Sequence, residues 1–252
     1  MKIGITEAGD AGIDLSWVEK LKTVDGAILV TKNITPKFMR AVLELFWERK
    51  DNFILHITCT GWGGTKMEPN VPHFSKQLQA ASFLIKFWGF PEEKVVIRID
   101  PIIPTKMGLR IARNVFSQAC QMGFRRFRVS VLDMYPHVRE RFVAAGIELP
   151  YGNNFSASNE QFAEVDKMLT EVKLTFPDVM IMSCAEPKLK VPRKVGCVSE
   201  YDLDILGIEA DDLKPNYQRR DCLCIGNKTE LLSNKTRCPH QCLYCYWKDT
   251  KI

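Results

Sequence analysis

The stretch from residue 95 to residue 132 reads VVIRIDPIIPTKMGLRIARNVFSQACQMGFRRFRVSVL. It begins with the apolar, β-branched run Val95–Ile99 and ends with a second apolar run, Phe127–Leu132. Between them, Thr105 is a good N-cap for a helix over Lys106–Met122, and Gly123 is a good stop for it. A strand, a helix and a second strand in this order indicate a parallel sheet with right-handed crossovers.

The same alternation runs through the first 183 residues. Four further apolar runs predict strands: Lys2–Thr6, Ala27–Thr31, Phe53–Cys59 and Val179–Ser183. Helices are expected between them, with starts marked by Thr35 before Pro36 and by a capping box of Ser158 and Gln161. Six strand–helix units predict an α/β fold, a partial (β/α)6 TIM-like barrel with its chemistry at the carboxyl ends of the strands.

The composition limits the class of protein. The chain has 252 residues, of which 46% are hydrophobic and 26% charged, and this globular balance excludes a disordered chain. A net charge of +5 permits an anionic partner but does not require one. No apolar run is long enough to cross a membrane, and MKIGITEAGDAG does not resemble a secretory signal. We therefore expect a cytoplasmic protein with no membrane partner.

Seven of the nine cysteines lie between Cys184 and Cys245. Structural disulfides are rare in the cytoplasm, where clustered cysteines more often bind metal. Three of them form a motif of spacing C-x3-C-x2-C at Cys238, Cys242 and Cys245. Three thiolates can hold a [4Fe–4S] cluster and leave one iron open for a cofactor or substrate. A zinc site is the alternative, because zinc also prefers thiolate ligands.

The other four clustered cysteines are Cys184, Cys197, Cys222 and Cys224. Four thiolates can fully ligate a second, auxiliary [4Fe–4S] cluster or one structural zinc ion. We expect the auxiliary cluster, and apolar packing of Cys184 and Cys197 is the alternative. The chain is thus predicted to divide into a barrel domain, residues 1–183, and a cysteine-rich, cluster-binding extension, residues 184–252, that caps the barrel mouth.

The three-cysteine motif, with Tyr244 just before its last cysteine, resembles the cluster motif of the radical S-adenosylmethionine (SAM) enzymes. In that superfamily the motif follows the first strand, whereas here it stands at the end of the sequence. Longer stretches resemble an uncharacterised bacterial and phage family with the same C-terminal cysteines. They are His56–Pro69 (HITCTGWGGTKMEP), Arg98–Pro104 (RIDPIIP), Cys184–Pro187 (CAEP) and Asn216–Tyr246.

The resemblance implies a radical SAM enzyme. It implies that the open iron binds SAM and that an electron, from a donor such as flavodoxin or ferredoxin, cleaves SAM to a radical that abstracts hydrogen from a substrate. Tyr244 would lie near the adenine. A nucleotide or DNA base is one candidate substrate, because the chain is mildly basic and the motif resembles that of a DNA-repairing radical lyase.

Two segments at strand ends are candidates for binding SAM. The first is Trp62, Gly63, Gly64 and Thr65, after the third strand. Glycines let the backbone approach a ligand closely, and the resemblance implies that a two-glycine turn binds the SAM amino group. A plain tight turn is the alternative. Trp62 could stack on an adenine or cover the core.

The second segment is the end of the fourth strand, where Arg98 and Asp100 share one face. They could pair with each other or bind a polar ligand such as the SAM carboxylate. Basic residues at Arg125, Arg126, Arg128, Lys188–Lys194 and Arg219–Arg220 are expected on the solvated surface. Those that flank the cysteines could also hold a negatively charged cluster or a phosphate-bearing substrate. The basic residues leave a non-catalytic alternative, a zinc- or iron–sulfur-binding protein that acts in nucleic-acid binding or electron transfer.

Overall fold

The computed structural model describes residues 2–209, 221–226, 228–232 and 238–247. Its strands are β1 (Ile3–Ile5), β2 (Gly26–Thr31), β3 (Phe53–Thr58), β4 (Val95–Ile102), β5 (Arg126–Val131), β6 (Met180–Ser183), β7 (Arg193–Lys194) and β8 (Lys228–Glu230). Its α-helices are α1 (Trp17–Lys20), α2 (Pro36–Leu43), α3 (Phe74–Trp88), α4 (Lys106–Gln121), α5 (Pro136–Ala144), α6 (Asn159–Thr175) and α7 (Glu200–Leu206). None of the helices in these ranges is both long enough and apolar enough to cross a membrane.

All eight strands form one parallel sheet in the order β7-β6-β5-β4-β3-β2-β1-β8. The α/β class and the six predicted strands, β1 to β6, are confirmed. They could be predicted because a parallel strand is covered on both faces and reads as an almost continuous apolar run. The partial barrel and the domain boundary at residue 183 stay predictions.

The helix starts follow the expected capping chemistry. Thr35 accepts a hydrogen bond from the backbone N–H of Phe38 at 3.1 Å, and Thr105 accepts one from Gly108 at 3.1 Å. The capping box at Ser158 is present in full, with Gln161 as its second member. These bonds satisfy N–H groups that have no partner within the helix, and so they fix where each crossover returns to the sheet.

The sheet has an apolar core on each face. The larger core lies between the sheet and helices α2, α3, α4 and α6. The smaller one contains Ile5, Ile28 and Ile54 from the strands, packed against Leu203 and Leu206 of α7. Leu206 lies near the start of β2, because a Cβ added to Gly26 would be 3.1 Å from its side chain. Helix α7 therefore packs beside the amino end of β2, and the capping of the barrel mouth by residues 184–252 stays a prediction.

Candidate functional site

A cavity of about 710 Å³ opens at the carboxyl ends of the central strands. Its volume lies within the range of ordinary small-molecule sites. Both cysteine groups reach its wall, through Cys184, Cys197, Cys222, Cys238, Cys242 and Cys245. The spacing of the cysteines predicted two groups, and the structure brings both groups to this one cavity.

Charged side chains of both signs also line the cavity. They are Glu7, Asp10, Lys32, Arg98, Asp100, Asp133, Lys228 and Glu230. Four of them, Glu7, Lys32, Asp133 and Glu230, end a strand or follow one within two residues, where side chains of parallel strands meet at one edge of the sheet. The wall therefore suits a polar ligand that itself carries both charges.

Arg98 and Asp100 face this cavity as a pair, since a guanidinium nitrogen of Arg98 donates to the Asp100 carboxylate. Asp100 also accepts from the Ser130 hydroxyl, and Arg98 lies 3.9 Å from a carboxylate oxygen of Glu7. Burial alone would raise the pKa of Asp100, but Arg98 and Ser130 outweigh it and bring this pKa to about 2. Asp100 is therefore a carboxylate at neutral pH.

Tyr244 of the three-cysteine motif is tied to a buried ion pair. Its hydroxyl donates to one carboxylate oxygen of Glu68. Lys32 Nζ lies 2.9 Å from that same carboxylate oxygen and 2.9 Å from the Tyr244 hydroxyl oxygen. Thr60 donates to the other oxygen of Glu68 at 2.7 Å. Burial would lower the pKa of Lys32, but the neighbouring Glu68 carboxylate raises it above its ordinary value. Tyr244 thus lines the cavity while its hydroxyl is hydrogen-bonded to Glu68 and Lys32.

The loop of the motif is anchored between its first two cysteines and at its last one. A ring nitrogen of His240 lies 2.6 Å from a carboxylate oxygen of Asp10, and Asn70 donates to the Pro239 carbonyl at 2.8 Å. At the other side, Arg141 donates to the carbonyl of Cys245 at 2.6 Å. These bonds fix the backbone, and so they position the three cysteines at the cavity wall.

The glycine turn after β3 lies behind the motif loop. Trp62, Gly63, Gly64 and Thr65 are not among the residues that line the cavity in the described parts of the chain. A Cβ added at Gly63 would be 2.2 Å from the Pro72 carbonyl oxygen, so this glycine is needed for a close approach within the protein. The role of these four residues in binding SAM stays a prediction.

The turn instead supports the motif from behind. The N–H of Gly64 donates to the carbonyl of Glu68 at 3.0 Å, and the carbonyl of Met67 accepts from Leu243 of the motif loop at 3.0 Å. The turn therefore positions Glu68, whose carboxylate holds Tyr244, and it fixes the backbone beside the motif.

The second cysteine group is the tighter of the two. The sulfur atoms of Cys184, Cys197 and Cys224 all lie within 4.8 Å of one another. The backbone N–H of Cys197 donates to the Cys224 sulfur at 3.1 Å, and Lys228 Nζ lies 3.8 Å from the same sulfur. Hydrogen bonds from the Cys184 and Cys197 thiols lower the pKa of Cys224, and the pKa of Cys184 is raised by the same contacts. Three sulfur atoms so close together can share one metal ion.

Gly196 makes this grouping possible. A Cβ at this position would lie 2.5 Å from the Leu223 carbonyl oxygen and 2.7 Å from the Cα of Cys224. The two backbone segments are therefore in direct contact, which only glycine permits. Arg128 donates to the Gly196 carbonyl from inside the sheet. Gly196 and Arg128 together place Cys197 against Cys224.

The expectation that Arg126 and Arg128 lie on a solvated basic surface is wrong. Both side chains are buried and share the Asp202 carboxylate, at 2.7 Å from Arg126 and 2.5 Å from Arg128. They are buried because alternate residues of β5 point to the same face of the sheet, where α7 supplies Asp202. Arg219 and Arg220 lie outside the described residues, as does the start of the Asn216–Tyr246 stretch.

Several charged residues of the cavity were not predicted from the sequence. Glu7 and Asp10 follow β1, and Lys32 follows β2 directly. Their signal was available, because polar residues just after a parallel strand are candidates for the site. Lys228 and Glu230 belong to β8, whose pairing with β1 has no local signal in the sequence.

Comparison with known proteins identifies a family without an assigned activity. A protein-family model described as a domain of unknown function (DUF1848) matches residues 14–247. This range includes all nine cysteines. No curated protein matches the sequence.

Proposed function

The chain belongs to the DUF1848 family, and we propose that it is a radical SAM enzyme with its cluster held by Cys238, Cys242 and Cys245. One observation carries the proposal: these three cysteines line the same cavity as the Arg98–Asp100 pair. A [4Fe–4S] cluster with SAM supplies one-electron chemistry that removes a hydrogen atom from a substrate. The proposal includes a partial barrel whose active site lies at the carboxyl ends of the strands.

The three thiols of the motif are spread more widely than those of the second group. Thiolates on separate irons of a cube stand roughly 6 Å apart, because each iron carries one of them. Among the described residues, the three motif sulfurs do not form a group within 4.8 Å of one another, whereas those of the second group do. Burial raises the pKa of Cys238 and Cys242, so metal binding at these thiols would release protons.

The charged pair would orient SAM. The amino-acid end of SAM carries an ammonium and a carboxylate, and the cavity offers Asp100 as a carboxylate and Arg98 as a guanidinium. Charge-assisted hydrogen bonds of this kind are stronger than neutral ones and give direction. Lys32 and Tyr244 are held by Glu68, and so they would border the ligand as fixed groups.

Anaerobic reconstitution tests the proposal. The protein is loaded with iron and sulfide, reduced with dithionite in place of flavodoxin or ferredoxin, and mixed with SAM. We expect 5′-deoxyadenosine from the wild type and from Cys120→Ala, which removes a buried thiol of α4, and none from Cys242→Ala. A reducible cluster that leaves SAM intact would refute the proposal. A colourless protein with zinc at the motif would favour the non-catalytic alternative.

A further inference from the structure

The second cysteine group joins the two opposite edges of the sheet. Cys184 directly follows β6, and Cys197 follows β7, which is one edge strand. Cys224 precedes β8, the other edge strand. In the described residues no ladder pairs β7 with β8, yet the sulfurs from both sides lie within 4.8 Å.

The spacing of these sulfurs fits one metal ion. A tetrahedral ion with metal–sulfur bonds of about 2.3 Å places its thiolates about 3.8 Å apart. A [4Fe–4S] cube would hold them roughly 6 Å apart. The limit of 4.8 Å for all three pairs therefore agrees with a single ion and is too short for the auxiliary cluster expected from the sequence.

A fourth thiol lies beside the three that are within 4.8 Å of one another, because the side chains of Cys222 and Cys224 are hydrogen-bonded. Cys222 is 2% exposed, lines the same cavity and stands two positions before Cys224. We propose that Cys184, Cys197, Cys222 and Cys224 bind one tetrahedral ion of the zinc class, and that this ion joins the two edges of the sheet. Four thiolates make a closed site, which stabilises a fold and leaves no position for a substrate.

The backbone around these cysteines supports the same conclusion. The contact of Gly196 with Leu223 and Cys224 presses the segment after β7 against the segment before β8. Ile225, between Cys224 and β8, packs in the smaller core with Val198, which follows Cys197. The two edges therefore already meet through backbone and side-chain contacts, and the ion would add a strong link between them.

The test uses a motif-free variant in which Cys238, Cys242 and Cys245 are all alanine. This variant isolates the second group from the proposed SAM site, so either site can fail without the other. We expect one zinc and no iron per chain, with four sulfur neighbours and no metal–metal scattering in X-ray absorption at the zinc edge. About four irons with matching sulfide would overturn the proposal in favour of a cluster, and so would a metal-free protein.

The link between the edges has its own measurement. The backbone N–H of Leu231 donates to Ile5 and that of Val195 donates to Ser183, so both amides report on the edge strands. Their exchange is measured in the zinc-loaded motif-free variant. After zinc is removed by a chelator, we expect hydrogen exchange at these amides to be at least about tenfold faster. The amide of Leu132, which donates to Ile102 in the middle of the sheet, is the control. Unchanged exchange at the edges would show that the ion does not join them.

Discussion

Replacing Gly196 with alanine tests the contact that brings Cys197 to Cys224. The added methyl group would lie 2.5 Å from the Leu223 carbonyl oxygen, 2.6 Å from the Val198 carbonyl oxygen and 2.7 Å from the Cα of Cys224. All three neighbours are backbone atoms, which cannot turn away as the end of a side chain can. The two segments must therefore separate, and the thiols that they carry must separate with them.

The size of the effect follows from these distances. Overpacking a close-packed site costs typically 1–3 kcal/mol, and three backbone contacts place this case at about 3 kcal/mol. Alanine also lowers the conformational entropy of the unfolded chain, which raises the free energy of unfolding by about 0.5 kcal/mol. The net loss of about 2.5 kcal/mol predicts a Tm lower by about 5–10 °C for a chain of this size.

Gly9→Ala is the matched control. A Cβ there would meet only the flexible side chain of Leu232, at 3.2 Å. Thermal unfolding and zinc content are measured on both variants in the motif-free background. We expect Gly196→Ala to lose both stability and zinc, and Gly9→Ala to keep its zinc. A Gly196→Ala protein with the Tm and the zinc content of Gly9→Ala would refute the reasoning.

Two further predictions concern the interior of the sheet. Asp202→Ala leaves the buried guanidinium groups of Arg126 and Arg128 without their carboxylate, and should lower the free energy of unfolding in urea by about 3–5 kcal/mol. A loss below about 1 kcal/mol would contradict this. Burial and the neighbouring Arg128, Arg98 and Arg126 lower the pKa of His56 well below 6.5, so below that pH the unfolded chain binds a proton that the folded chain excludes. The free energy of unfolding should then fall by up to about 1.4 kcal/mol per pH unit as the pH drops from 6.5, and His56→Leu should remove this contribution. If the free energies of unfolding of the two proteins change in parallel between about pH 7 and 5, the reasoning is wrong.

The central strands and the helix starts are predictable because their causes are local. Strands β1 to β6 are apolar runs, and Thr35, Thr105 and Ser158 accept the hydrogen bonds that begin their helices. Helix α7 also has a local signal, the capping box of Ser199 and Asp202, which could have predicted its start.

The edge strands have no such local cause. Strand β7 is the dipeptide Arg193–Lys194, and β8 is the polar tripeptide Lys228–Glu230. Neither has an apolar face, so only the strand beside each of them makes it a strand. Because the pairing of the edge strands has no local signal, the sequence divides the clustered cysteines into a motif of three and a group of four. It does not show that Cys184 and Cys197 meet Cys224 at the joined edges.

The pairing of β8 with β1 can form only late in the synthesis of the chain. Glu230 accepts a hydrogen bond from the backbone N–H of Glu7, 223 positions earlier in the chain. A ribosome adds about 5–20 residues per second, so the outer side of β1 waits roughly 10–45 s for its neighbour. An open strand edge is a template for pairing with other chains, and β1 is only three residues long, which keeps that template small. The segment that carries β8 is made late, and it then covers the open edge of β1, the first strand to be synthesised.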